Sequence, residues 1–262
     1  MKTKILNVNK SMGSNLITIG MIVVAYTVCQ TLIATGSMTN LLKNLLVAMC
    51  YYSIMAISLN LTVGILGQLS LGHAGFVCIG AFVGAFFSKV TISTIENTFI
   101  RFSLAILIGA LSAGLFGVII GVVVLRLKGD YLAIVTLAFG EIVKNVINVL
   151  YIGIDSKGVH FSMSDTASLN LEEGGTVIVK GAQGISGTPR NSTFTIGVIL
   201  LILTYLIIVN FINSRSGRAV MAIRDNKIAA ESVGINITKY KILAFSLSAA
   251  LAGVAGVLYS HN

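Results

Sequence analysis

Residues 102–125 read FSLAILIGALSAGLFGVIIGVVVL and contain no charged side chain. A helix crosses the hydrocarbon core of a bilayer with about 20 mostly apolar residues, so this stretch predicts a membrane span. Working outward, six further apolar segments appear: Leu16–Ala34, Leu45–Leu66, Leu69–Phe87, Tyr131–Ile152, Phe194–Ile212 and Ile242–Tyr259. The 262 residues are 55% hydrophobic and only 10% charged. That is too few charges to cover a water-soluble domain, in which roughly a quarter of residues are charged. The expected fold class is all-α, a polytopic transmembrane helical bundle in a single domain over residues 1–262.

The first fifteen residues, MKTKILNVNKSMGSN, resemble the basic region of a signal peptide. No A-x-A-like site closes the run that follows, so a retained first span is expected. The third segment differs from the rest. GQLSLGHAG, Gly67 to Gly75, precedes its uninterrupted apolar part, and glycines weaken a helix. A broken helix is therefore expected near residues 67–75. Such a break is tolerated at membrane depth only where protein or a water-filled cavity surrounds it.

The formal charge of +9 would suggest nucleic acid for a soluble chain. Here the positive-inside rule explains it, and no nucleic-acid partner is expected. With the N-terminus in the cytoplasm, Lys2, Lys4, Lys10, Arg126, Lys128, Arg215, Arg218, Arg224, Lys227, Lys239 and Lys241 fall inside. Only Lys43, Lys89, Arg101, Lys157, Lys180 and Arg190 fall outside, where Glu96, Asp155, Asp165, Glu172 and Glu173 nearly neutralise them. Two connections are long. Residues 153–193 form a polar extracytoplasmic loop with one β-like run, Thr176–Val179, and residues 213–241 form a basic cytoplasmic loop.

Gly109, Ala113, Gly117 and Gly121 recur every four residues, as do Gly80 with Gly84 and Ala249 with Gly253. Rows of small residues let helices in lipid approach closely. Cys29, Cys50 and Cys78 lie in apolar runs without a C-x-x-C pair and read as buried small apolar residues. The histidines, His73, His160 and His261, are far apart, so neither a metal site nor a convergent catalytic set is expected. No phosphate-binding G-x-x-x-x-G-K-[ST] motif is present.

Four residues are candidates for a substrate path. Glu141 is the one acid well inside a span, with Lys144 one turn later. It either pairs locally with Lys144 or serves transport or gating. His73 sits at the helix break, where it packs and hydrogen-bonds or lines a path. Gln68 and Ser70 share that break and offer polar contacts to a passing zwitterion.

The cytoplasmic loop SRSGRAVMAIRDNKIAAESVGINITKYK is patterned for two short amphipathic helices. Ser216 is placed to cap the first, Asp225 or Asn226 the second, and Thr238 the last span. Gly234 suits the left-handed position that ends the second helix. The pair is a headgroup-lying helix, a solvated connector or a docking element. Ala229, Ala230 and Gly234 favour docking, because small residues admit a partner's cleft and gain little from lipid.

The pattern A-A-x-x-x-G at Ala229, Ala230 and Gly234 resembles the EAA loop of ABC importer permeases, with Ile228 at the motif's Glu position. YSIMAISLNLTVGILGQLSLGHAGF, LRLKGDYLAIVTLAFGEIVK and GAQGIS resemble, in the same order, segments of branched-chain amino acid permeases of the LivM type. Ala182 replaces the second glycine of the G-G-x-G-I motif in the last of these. The resemblance implies an ATPase-coupling loop carried by Arg218, Asp225, Ile228, Ala229, Ala230 and Gly234. It also implies partners: a second homologous permease subunit, two cytoplasmic ABC ATPases that hydrolyse the ATP, and an extracytoplasmic binding protein. This chain would bind no cofactor and would reside in a bacterial plasma membrane. Members of the family run on for further spans, so a C-terminally incomplete chain is expected. A secondary transporter or channel, or an ABC permease for urea or short amides, is the alternative.

Overall fold

The structure is a computed structural model describing residues 2–262 apart from 93, 128, 156–157, 172–174 and 186; side chains of residues 2–14 and of Asp130 are not described. Earlier expectations on Lys128, Lys157, Glu172, Glu173 and Ser186, and on the side chains of Lys2, Lys4 and Lys10, lie outside the described residues.

Among the described residues, seven helices are long and apolar enough to cross a membrane: Asn15–Ala34, Asn40–Ile65, His73–Val90, Thr98–Val124, Tyr131–Asn148, Phe194–Asn213 and Ile237–Ser260. They belong to α1 (Lys2–Ala34), α2 (Asn40–Asn60, continued by a π turn over Leu61–Ile65), α3 (His73–Val90), α4 (Thr98–Val124), α5 (Asp130–Asn148), α6 (Phe194–Asn213) and α9 (Ile237–Ser260). Between α6 and α9 lie the short helices α7 (Arg215–Asp225) and α8 (Lys227–Ser232). The chain is a multi-pass, all-α membrane protein.

Helix α9 is the centre of the bundle, flanked by α3 and α4. The small-residue rows explain how. A Cβ on Gly80 would lie 2.4 Å from Gly253 Cα, and one on Gly256 only 2.0 Å from Val77 O. Gly117 faces Ala249, and Gly109 faces Val257. Lipid tails supply no hydrophobic drive between helices, so this close van der Waals packing holds them together. A second cluster, around Val47, Cys50, Ile54, Phe102, Val198 and Leu258, joins α2, α4 and α6 to the far end of α9. Helix α1 lies at the edge, tied to α6 by Tyr26 Oη to Thr195 Oγ1 (3.2 Å). Of the cysteines only Cys50 is buried, whereas Cys29 and Cys78 are half-buried.

Several expectations are corrected. The fifth apolar segment ends as helix at Asn148, and its last residues enter strand β1 (Tyr151–Asp155). With β2 (Gly158–Ser162) and β3 (Thr176–Lys180) it forms an antiparallel sheet ordered β2-β1-β3. The aromatic Tyr151 and β-branched Ile152 and Ile154 suit a pleated surface. Ile152, Ile178 and Val179 form a buried cluster with Phe82, Phe86 and Val90 of α3. Beside the sheet, the backbone N–H of Ser168, and then its hydroxyl, hold the Asp165 carboxyl below its ordinary pKa. The caps also shift. Ser214, not Ser216, accepts from Gly217 N (3.1 Å) to start α7. Asn236, not Thr238, accepts from Lys239 N (3.0 Å) to start α9. In both cases the oxygen sits three residues before the N–H it caps.

Candidate functional site

The helix break runs from Leu66 to Gly72, narrower than residues 67–75, since His73 and Gly75 are already helical. It begins where α2 widens into the π turn. Leu66 N bonds to Leu61 O (3.1 Å), five residues back, and Gln68 N reaches Thr62 O (3.1 Å). Gly64 lies in this turn, with the Asn60 side chain against its Cα. Gly67, at φ +72°, then turns the chain in the left-handed region that glycine tolerates. Gly72 seats the break on α5, where a Cβ would fall 1.8 Å from Thr136 O. Leu71 N donates to Thr136 Oγ1 (3.1 Å). Leu66, Ser70 and Gly72 are buried against the bundle, while Gly67, Leu69 and Leu71 stay exposed, so protein covers one side of the irregular backbone and the other side is open.

A buried polar chain runs beside this break. His73 Nε2 lies 2.8 Å from Ser58 Oγ, and the Ser58 hydroxyl donates to Met55 O (2.8 Å). Thr62 Oγ1 donates to Ser248 Oγ (2.8 Å), whose hydroxyl donates to Ser58 O. Gln68 Oε1 and Ser70 Oγ are buried without a hydrogen-bond partner. An unpaired buried oxygen costs roughly 1–3 kcal/mol, so these two are poised to accept a polar ligand group or a water. His73, Gln68 and Ser70 are therefore brought to one joint. Glu141 is not. Its Oε2 lies 3.3 Å from Lys144 Nζ, with both side chains more than half exposed on α5. Ser58, Thr62, Thr136 and Ser248 were missed. Ser58 and Thr62, four residues apart on one face of an apolar span, were the available signal.

The second part of the site is the α7–α8 pair at the opposite end of the bundle from the sheet. Asn226 caps α8 by accepting from Ala229 N (3.0 Å). Gly234, at φ +85°, ends it as expected, with Gly234 N bonded to Glu231 O (2.9 Å) and Ile235 N to Ala230 O (3.1 Å). Ala230 is buried against its own chain, while Ile228 and Val233 stand 81% and 80% exposed. Ala229 is exposed beside them. The outward surface is thus made by Ile228, Ala229 and Val233, with Ala230 and Gly234 setting its shape. Arg218 Nη1 donates to Asn213 O (2.7 Å) across the α6–α7 corner. Asp225 accepts from Arg224 Nε and Nη2 (3.1 and 3.0 Å). Arg126, Lys227 and Lys241 line a cleft of about 350 Å³ with Gln68 at this same end.

The family model described as branched-chain amino acid transport system / permease component matches residues 41–262. The high-affinity branched-chain amino acid transport system permease proteins LivM of Salmonella typhimurium and Escherichia coli are each 33% identical over 219 residues, covering 80% of this chain and 50% of theirs. A probable branched-chain amino acid transport permease protein LivM of Methanocaldococcus jannaschii is 26% identical over 237 residues, covering 80% of this chain and 64% of its own. The chain thus spans about half the length of the first two relatives. No solved structure matches it. Four motif-bearing segments in order, seven spans and a match over residues 41–262 converge on one result: the chain belongs to the branched-chain amino acid transport system permease component family.

Proposed function

We propose that this chain is a membrane-spanning permease subunit of an ATP-driven ABC importer, translocating Leu, Ile or Val delivered by an extracytoplasmic binding protein. It works beside a second homologous permease subunit, and two cytoplasmic ABC ATPases hydrolyse the ATP. The observation that carries this reading is the α8 surface. Ile228 and Val233 project from the polar end of the bundle, and covering each contributes roughly 1.5–3 kcal/mol to a partner's binding. A secondary transporter has no use for such a surface. Substrate passes the break, where Gln68 and Ser70 carry unpaired oxygens beside His73. The test is copurification with a tagged copy of the full permease. An ABC ATPase recovered in stoichiometric amount is expected. Its absence from a preparation that transports leucine would return the chain to the secondary transporters. Transport of urea or short amides but not leucine would reassign the substrate.

The same reading puts the chain in a bacterial plasma membrane, with the N-terminus and the α7–α8 pair proposed to be cytoplasmic. Arg126, Lys227 and Lys241 gathering at the α7–α8 end supports this by the positive-inside rule. Cysteine at exposed Lys227 is expected to be shielded in intact cells from a membrane-impermeant thiol reagent, and cysteine at exposed Ser164 labelled. Labelling at Lys227 from outside would reverse the orientation.

Glu141 acts as the partner of Lys144 and not as a transport group. A charge pair on a span is costly unless its members satisfy each other, and these two are within reach. Exchanging them, Glu141→Lys with Lys144→Glu, is expected to keep most transport. Glu141→Gln is expected to lower the amount of assembled complex more than the rate per complex. Normal assembly with abolished transport would contradict the pairing role.

A further inference from the structure

Arg224 lies on the last turn of α7, outside the coupling motif, and reaches across the chain to the helix break. Its Nη1 donates to Gly64 O (3.0 Å), a carbonyl of the π turn that opens the break. Its Nε and Nη2 donate to Asp225 Oδ1 while Nη1 faces Gly64. The arginine stem occupies the space beside Gly67, where a Cβ would fall 2.6 Å from Arg224 Cγ. Beneath it, Val220 of α7, Leu66 of the break and Ala244 of α9 form a buried apolar cluster flanked by Ile65. Only Asp225 and the capping Asn226 separate Arg224 from α8. The Arg224–Gly64 hydrogen bond thus links the chain just before α8 to the turn that leads, within a few residues, to Gln68 and Ser70.

We propose that Arg224 is the positioning residue that ties the partner-facing α7–α8 pair to the helix break, so that a movement of α8 is delivered to the joint carrying Gln68 and Ser70. The proposal rests on the reading of α8 as the ATPase-facing element. A planar guanidinium suits the role, since it can hold the Asp225 carboxylate and the Gly64 carbonyl at once. An ammonium has no such fork. The coupling passes through an identified hydrogen bond and a packed cluster that both ends bias.

The test uses the full permease–ATPase complex with Cys29, Cys50 and Cys78 replaced and a single reporter, Ser70→Cys, which is buried at the joint. Its thiol labelling rate is measured nucleotide-free and with ATP trapped by vanadate. With Arg224 in place the two rates are expected to differ roughly fivefold or more, the lower range of an allosteric coupling. Arg224→Met keeps the apolar stem against Gly67 but removes the donors. It is expected to retain basal ATP hydrolysis while the ratio falls below about twofold. Arg224→Lys restores part of the ratio. A full nucleotide response in Arg224→Met would overturn the proposal. Should that variant not assemble, Arg224→Gln, which also lacks the guanidinium fork, takes its place, and a full response there would overturn it equally. A parent complex that shows no nucleotide response, or recovers no ATPase, would instead count against the importer reading itself.

Discussion

Gly256→Leu is expected to remove most of the folded protein from the membrane. A Cβ at this position would lie 2.0 Å from Val77 O and 2.8 Å from Ala81 N. Both neighbours are backbone of α3, so no rotamer change relieves the clash and the helix itself must move. Displacing α3 from α9 also opens the Gly80–Gly253 approach, where the backbones are in direct contact. Overpacking a close interface usually costs roughly 1–3 kcal/mol. Here rigid backbone must yield along a whole row, so the loss is expected above about 4 kcal/mol, in the severe tail for single substitutions. The check is the monodisperse yield and thermal midpoint of detergent-solubilised protein. Gly20→Ala on the edge helix α1 meets nothing within 4 Å and serves as the control, expected to behave as the parent. A parent-like midpoint for Gly256→Leu would contradict the packing described.

The small-residue rows made the close packing of Gly80, Gly117, Ala249 and Gly253 legible in the sequence, because a four-residue repeat of glycine and alanine puts one bare stripe on a helix, whereas Gly256 lies outside those rows. Which stripe meets which was not legible. The partners of Gly80 and Gly117 lie on α9, more than a hundred residues away. The seven spans could be read from apolar runs alone. The strand at Tyr151–Asp155 could not, because Ile152 and Ile154 continue the apolar run of α5 and only pairing with β3 separates them from it. At the candidate site, Gln68, Ser70 and His73 were found through the glycines around them. Ser248 was not, since its meeting with Thr62 depends on how α9 crosses α2. Gly234 was read correctly from its type, whereas the burial of Ala230 was hidden. Spacing alone does not say which side of a six-residue helix turns inward.

If α8 docks an ABC ATPase as proposed, Ile228→Asp should uncouple the subunit from that partner while leaving it inserted and folded. At 81% exposure the isoleucine contributes little to the chain's own core. A partner that covers it gains roughly 1.5–3 kcal/mol, and an aspartate there forfeits that gain and adds a buried charge. ATPase copurification is expected to fall by at least about tenfold, which corresponds to 1.4 kcal/mol. Gly234→Val probes the same element through the backbone. No neighbour lies within 4 Å of its Cβ, so the substitution meets space but a φ of +85°. The left-handed conformation costs a β-branched residue roughly 1–2 kcal/mol. The α8–α9 junction is then expected to relax and coupling to weaken while the spans persist. Undiminished copurification with Ile228→Asp would remove the α8 surface as the docking element.

The most direct measurement is ATP hydrolysis by the complete complex in proteoliposomes, with the extracytoplasmic binding protein added with and without leucine. Leucine-loaded binding protein is expected to stimulate hydrolysis and to drive leucine across the membrane only when ATP is present on the α7–α8 side. Leucine movement that proceeds without ATP, or hydrolysis indifferent to leucine, would contradict the assignment of this chain as the permease of an ATP-driven importer.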